Sequence, residues 1–241
     1  MKTHIIIPAR LDSTRLSRKL LLDETGKSLL IHTYENAKKS KDVDGIHIAT
    51  NSNDMAIIEH CKENGIECIE VDTETTCGSH LCLLASKQFG ECNIINVQGD
   101  CPNVSPNTID EMIPFLNYKD NNFIITPYYK IEDTKIANDS ARIKMVLCDA
   151  QSLIYYSRLP IPYGTNEWNI HVGVYGFPFS QVDTLLNLYN KGVKSANTCE
   201  RLEQLMWLER GLTTWCIESP PCSSIDTQED YDEFKRNCIG G

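Results

Sequence analysis

Two short segments carry the side chains best suited to chemistry. The first, Pro8 to Lys19, holds four cations (Arg10, Arg15, Arg18 and Lys19) within ten residues. The second, Gln98-Gly99-Asp100, puts a carboxylate directly after the apolar run Asn93 to Val97. A charged loop is ordinarily a solvated surface. Here the cations follow a buried strand in a chain of opposite net charge, a setting in which they can hold a polyphosphate by charge-assisted hydrogen bonds. Neither GxxxxGK[ST] nor GxGxxG occurs in the loop, which counts against a P-loop enzyme or a Rossmann dehydrogenase.

The elements that must position these residues follow from periodicity. His4 to Ile7 reads as a buried strand and Ser28 to about Lys41 as a helix. Gly45 to Thr50 is a second strand. Asn53 to Asn64 is a second helix, capped by Asn53 and ended by Gly65. Glu67 to Val71, Ser79 to Phe89 and Asn93 to Val97 repeat the strand, helix, strand unit. That rhythm implies a parallel sheet with helices on both faces, and ligands in such sheets bind beyond the carboxyl ends of the strands. The second half is less regular. Apolar runs lie at Phe123 to Thr126, Ile143 to Leu147 and around Ile154 to Tyr156, followed by a helix over Glu200 to Arg210 closed by Gly211. A strand over Thr213 to Ile217 and a last helix over Thr227 to Arg236, with Asp226 near its N-cap, complete the chain.

Composition sets the class. The 241 residues, 41% of them hydrophobic, can fill the core of one sizeable α/β domain. The formal charge of −10 argues against a nucleic-acid or anionic-membrane partner. No apolar stretch approaches the roughly 20 residues that span a bilayer, and a cytoplasmic protein is expected. The 11 cysteines are odd in number, scattered and without a CxxC pair, so each is read as a reduced, small buried hydrophobe rather than part of a disulfide framework or zinc site.

Six motifs in order carry a family resemblance. Ile6-Ile7-Pro8-Ala9-Arg10, then Ser13-Thr14-Arg15-Leu16 and Lys19, resembles the IPAR-x-x-STR-L-P-G-K signature of sugar nucleotidyltransferases. Asn96 to Asp100 is similar to the NVQGD of the 3-deoxy-manno-octulosonate cytidylyltransferases. Tyr156-Ser157-Arg158 with Ile161-Pro162, His171 to Gly176, Leu202-Glu203-Gln204-Leu205, and Ile225-Asp226-Thr227 with Glu229-Asp230 resemble that family's Y-F-S-R-x-x-I-P, H-x-G-I-Y-G-Y, L-E-Q-L and V-D-T-x-E-D. The likeness runs from His4 to about Arg236.

The resemblance implies a single-domain nucleotide-diphospho-sugar transferase fold, α/β and Rossmann-like, with a mixed sheet and helices on both faces. It implies the reaction of CTP with a 3-deoxy-2-ketoaldonic sugar acid to give CMP-sugar and pyrophosphate. Residues 1–117 would form a nucleotide-binding half and 118–241 an acceptor-binding and dimerisation half of a homodimer. Arg10, Lys19 and Asp100 are implied in catalysis, and Arg10, Ser13, Arg15, Lys19, Gly78 and Ser79 in nucleotide binding. Gln98, Arg158, His171, Tyr175, Glu203 and Gln204 would bind the acceptor. Asp100 and Asp226 would hold Mg²⁺, a hard cation that takes one or two carboxylates plus phosphate oxygens.

Each of these residues also has a plainer reading. Asp226 before Thr227 and Glu229 suits a helix N-cap, His171 and Tyr175 suit core packing, and Glu203 and Gln204 suit the solvated face of a helix. The chain also departs from the pattern. Leu16-Ser17-Arg18-Lys19 stands for L-P-G-K, so a cation replaces the loop's glycine and the backbone there is expected to differ. Cys101 replaces the glutamate of G-D-E-P. Cys77-Gly78-Ser79-His80-Leu81 stands for S-G-T-[DE]-R, without its acid and arginine. The acceptor therefore stays open between Kdo, an amino-substituted Kdo, a sialic-like acid and a phosphonate. A catalytically weak nucleotide-binding relative is the other alternative.

Overall fold

A computed structural model describes residues 1–11, 16–73, 75, 77–118, 122–191, 199–222 and 224–239. Strands β1 (Lys2–Pro8), β2 (Gly45–Asn51), β3 (Cys68–Val71) and β4 (Cys92–Val97) alternate with helices α1 (Leu29–Ala37), α2 (Met55–Glu63) and α3 (Gly78–Ser86). They pair in parallel in the order β3-β2-β1-β4. Both faces of this sheet are dry. Ile5 and Ile7 pack into one apolar cluster with Leu29, Ile57 and Ile109, while Ile6 joins the opposite one with Leu81 and Leu83. Alternate side chains of a strand point to opposite faces, so a strand buried on both sides must be apolar throughout.

The remaining strands make the sheet mixed. After α4 (Pro106–Leu116) come β5 (Phe123–Ile131), the short helix α5 (Thr134–Asn138), β6 (Lys144–Leu147), β7 (Leu153–Ser157), β8 (Trp168–His171) and β9 (Val174–Phe177). Strand β9 runs antiparallel between β4 and β5, with Ile95 and Ile125 both opposite Gly176. It stitches the two halves of the chain into one sheet. The order continues β5-β8-β6-β7, and β10 (Thr213–Glu218) pairs in parallel with β5 off that path. Helices α6 (Phe179–Lys191), α7 (Gln204–Glu209) and α8 (Gln228–Ile239) complete the chain among the described residues.

Several local expectations need correction. Helix α2 begins at Met55, with Asp54 rather than Asn53 as its cap residue. The expected single helix over Glu200 to Arg210 is broken: Cys199 and Glu200 are helical, Arg201 then takes a left-handed φ of 55° that no α-helix accommodates, and α7 begins only at Gln204. Glu203 thus sits at the helix cap, not on a solvated helical face. Gly65 and Gly211, with φ of 65° and 75°, close the preceding helices as expected. All eleven cysteines are free thiols, but the buried-hydrophobe reading holds for only six: Cys199 and Cys238 are exposed, and Cys68, Cys77 and Cys148 are half-buried.

Candidate active site

A cavity of about 480 Å³ opens beyond the carboxyl ends of β1 and β4. Gln98 and Asp100 follow β4 immediately, and Gly78, at the start of α3, comes close to Gln98. A Cβ at position 78 would lie 2.7 Å from the Gln98 Oε1, so only glycine fits without a shift. Arg10, Gly78, Gln98 and Asp100 all line the cavity from this side. Ser13 and Arg15 lie outside the described residues.

Asp226 arrives from the far end of the chain and faces Asp100 across Lys19. The Lys19 Nζ donates to Asp100 Oδ2 at 2.5 Å, to Asp226 Oδ1 at 2.9 Å and to the Ile225 carbonyl at 3.0 Å. The Ile225 amide in turn donates to the Asp100 carbonyl at 2.9 Å. Burial works against the Lys19 charge, but Asp100 and Asp226 outweigh it and hold the amine above its ordinary pKa. The capping role considered for Asp226 falls to Thr227, whose hydroxyl accepts from the Asp230 amide at 3.1 Å, while Asp230 Oδ2 reaches back to accept from the amides of Asp226 and Thr227. Arg18, which replaces the loop's glycine, takes φ 50° and ψ 31°. This is a left-handed bend of the kind glycine favours, and it places Lys19 in the first position of the following 3-10 turn.

The opposite wall comes from the second half. His171, Tyr175, Arg158, Glu203 and Gln204 all line the same cavity. The Thr126 hydroxyl donates its one proton to the Val174 carbonyl at 2.7 Å. It therefore accepts from the His171 Nε2, 3.0 Å away, which makes Nδ1 the ring's acceptor. Burial brings the His171 pKa down to about 3, so the ring is neutral. Tyr175 stacks on His171 with ring centroids 5.1 Å apart. Both aromatic side chains serve packing and cavity lining at once.

Glu203 is held by three donors: the Cys77 thiol, the Ser79 hydroxyl at 2.8 Å and the Tyr189 hydroxyl at 3.0 Å. Ser79, implied in nucleotide binding, is fully buried and also accepts from Asn96 at 2.9 Å. It stands behind the cavity wall and orients Glu203. The altered segment is thereby accounted for: Cys77 and Ser79 face Glu203, His80 stacks on Tyr189 at 4.7 Å, and Leu81 is core. Arg158 points its guanidinium at three carbonyls, Glu200 at 2.6 Å, Ser140 at 2.8 Å and Arg201 at 3.2 Å.

Sequence reasoning missed Arg142, Lys144 and Arg201. Arg142 and Arg201 line the cavity. Lys144 is fully buried and donates to the carbonyls of Asp139, Arg142 and Arg158 at 2.9, 2.6 and 2.5 Å. No spacing signal marks these three. A lone lysine inside the apolar run Ile143 to Leu147 gives no sign of its carbonyl partners, and the left-handed Arg201 leaves no trace in residue type.

Asp100 and Asp226 are hard oxygen donors drawn together on one cation, which fits a magnesium ion that would share them with phosphate oxygens. Among the described residues no cluster of three or more His, Cys, Asp or Glu side chains is arranged to hold a metal by itself. A bound nucleotide would have to supply further ligands.

The chain matches the cytidylyltransferase family model over residues 4–215. It is 32% identical to the 3-deoxy-manno-octulosonate cytidylyltransferase of Chlorobaculum tepidum, covering 98% of this chain and 97% of that protein. It is also 32% identical to the enzyme of the same name from Elusimicrobium minutum, covering 97% of each. Among solved structures, CMP:2-keto-3-deoxy-manno-octonic acid synthetase complexed with CTP superposes with a TM-score of 0.89 at 24% identity, covering 100% of this chain and 99% of that one, a match of fold. The length and identity of the sequence matches place this chain in the cytidylyltransferase family, alongside the 3-deoxy-manno-octulosonate cytidylyltransferases.

Proposed function

We propose that the chain transfers the cytidylyl group of CTP to the anomeric hydroxyl of 3-deoxy-manno-octulosonate, releasing pyrophosphate. The observation that carries this reading is one cavity with two chemically distinct walls. One holds the Asp100, Lys19 and Asp226 cluster with Arg10; the other holds Arg158, His171, Glu203 and Gln204. In this reading residues 1–117 bind the nucleotide and 118–241 bind the acceptor.

The hydroxyl oxygen attacks the α-phosphorus as the bond to the pyrophosphate oxygen breaks, so the protein's task is alignment and charge compensation. Arg10 and Lys19 meet the triphosphate, with Lys19 keeping Asp100 and Asp226 convergent. A magnesium ion, when bound between these carboxylates and the triphosphate, would offset phosphate charge and make the attacking hydroxyl more acidic. Arg158 receives the sugar carboxylate. Neutral His171 offers Nδ1 to a sugar hydroxyl, and Glu203, fixed by its three donors, accepts from another. Gln98 and Gln204 complete the hydroxyl contacts, with Tyr175 stacked behind His171.

The same reading includes a cytoplasmic homodimer. Exposed Ile154 and Tyr155 on β7, with Leu159 and Tyr163 beyond it, support a self-association face in the second half. No helix among the described residues is long and apolar enough to cross a membrane.

The test is pyrophosphate release from CTP, ATP or GTP with a panel of 2-keto-3-deoxy sugar acids. CTP with 3-deoxy-manno-octulosonate should give the highest kcat/KM. Equal rates with all three nucleotides would defeat the cytidylyl reading, and a preference for a sialic-like or phosphonate acceptor would replace the sugar.

A further inference from the structure

Arg142 lies between α5 and β6 with its side chain 16% exposed. Its Nη2 donates to Asp230 Oδ1 at 2.8 Å and its Nη1 to the Ser224 carbonyl at 3.3 Å, while Nε lies 3.6 Å from Asp139 Oδ2. The other oxygen of Asp230 accepts from the Asp226 amide at 3.0 Å, the Thr227 amide at 2.9 Å and the Thr227 hydroxyl at 3.0 Å. The Ser224 hydroxyl donates to Asp226 Oδ2 at 2.9 Å. One guanidinium therefore grips the turn on both sides of Asp226, at a carbonyl before it and a carboxylate after it.

We infer that Arg142 is a positioning residue that fixes the orientation of the Asp226 turn and ties it to the acceptor wall. The inference rests on the function proposed above and extends it to a residue that function does not use. A planar, permanently charged fork can hold two acceptors at a set angle, which a lysine cannot. Lys19 and the Asp100 carbonyl hold the same turn from the nucleotide side. On the acceptor side, the Arg142 carbonyl shares the Lys144 ammonium with the carbonyl of Arg158. The Asp226 turn and the main chain of Arg158 are thus two arms of one hydrogen-bonded frame.

The test compares full-length wild type with Arg142→Met, Arg142→Lys and Asp230→Asn. Hydrogen exchange on the ligand-free protein reads the Asp226 and Thr227 amides directly. Arg142→Met should speed their exchange at least tenfold while the β1 and β4 amides stay protected. In turnover it should raise the magnesium concentration for half-saturation at least fivefold and leave the acceptor KM within twofold. Arg142→Lys should recover part of both, and Asp230→Asn should reproduce the Arg142→Met pattern even if that variant folds poorly. Unchanged exchange with a raised acceptor KM would make Arg142 an acceptor ligand and overturn the inference. Faster exchange throughout the sheet, with every kinetic constant altered, would reduce it to a structural residue. A wild type that releases no pyrophosphate from CTP would defeat the proposed function, whereas the exchange measurement needs no substrate and still decides the role of Arg142.

Discussion

Lys19 and Asp226, 207 residues apart in the chain, meet at 2.9 Å, and the same ammonium reaches Asp100. Two carboxylates with side chains only 20% and 15% exposed would repel one another without it. Lys19 thus draws together groups from β4 and from the entry to α8 before any ligand arrives. The arrangement leaves one net negative charge, so a triphosphate bound there as proposed needs a further cation to balance the site.

Asp226→Asn and Asp100→Asn should each cut turnover by at least a hundredfold while the fold stays intact. In the proposed reaction each substitution removes a charge that would stabilise the transition state more than the ground state. Steady-state kinetics across a magnesium series, with the thermal midpoint measured alongside, checks this. Near wild-type activity in Asp226→Asn would leave that residue a purely structural partner of Lys19 and Ser224.

The parallel half of the sheet was legible because its strands are buried on both faces, and runs such as Ile5-Ile6-Ile7 can hardly be anything else. The helix α6 and the strand β8 were not read from periodicity. Strand β8 is four residues, too short for an alternation to register, and takes its place from pairing with β5 and β6. Ordered motifs point to Asp100, Asp226, His171 and Glu203, which share one cavity lining. Ser79 lies behind that lining, a placement not legible in the sequence because residue type does not reveal which side of a wall a hydroxyl faces. Lys144 and Arg142 escape because their partners are backbone carbonyls and the first-turn aspartate Asp230, which carry no sequence signature.

Arg18 stores strain that a glycine would relieve. A left-handed φ of 50° costs a side-chain-bearing residue roughly 1 to 2 kcal/mol, part of which glycine returns through its freer unfolded chain. Arg18→Gly is expected to stabilise the protein by up to about 1 kcal/mol, read as a higher denaturant midpoint at unchanged m-value. A loss of stability would mean that the Arg18 side chain holds contacts worth more than the strain.

Lys144 should make stability and activity move in opposite directions at alkaline pH. Burial lowers its pKa from 10.5 to about 8 in the folded chain, beside Asp139, Arg158 and Glu200. Between about pH 8 and 10.5 the unfolded state then holds the extra proton, so this residue's contribution to stability rises with pH across that window. A neutral amine has only two N–H donors for three carbonyls, and the Arg142 and Arg158 main chain loses a tether. The acceptor kcat/KM should therefore fall above about pH 8 while the unfolding free energy gains on that of Lys144→Met. A flat profile in both measurements would show that the three carbonyls keep the ammonium charged.

The acceptor wall is tested at Arg158, whose fork is braced by the carbonyls of Glu200, Ser140 and Arg201. Lysine can carry the charge but cannot hold three carbonyls and face a carboxylate in a fixed plane. Arg158→Lys should raise the KM for a keto-acid acceptor about tenfold or more, the equivalent of ~1.5 to 3 kcal/mol for a charged hydrogen bond. CTP binding, measured by calorimetry without acceptor, should change less than twofold, because the nucleotide wall is built from Arg10, Lys19 and Asp100. Glu203→Gln offers the complementary check. It keeps the size of the side chain but introduces an amide donor among groups that already donate, the Cys77 thiol and the Ser79 and Tyr189 hydroxyls. It should lower acceptor kcat/KM and narrow the discrimination between sugars that differ at one hydroxyl, since a site built to accept that proton rejects analogues lacking it. If both variants weakened CTP and acceptor alike, the two walls of the cavity would not divide the substrates between them.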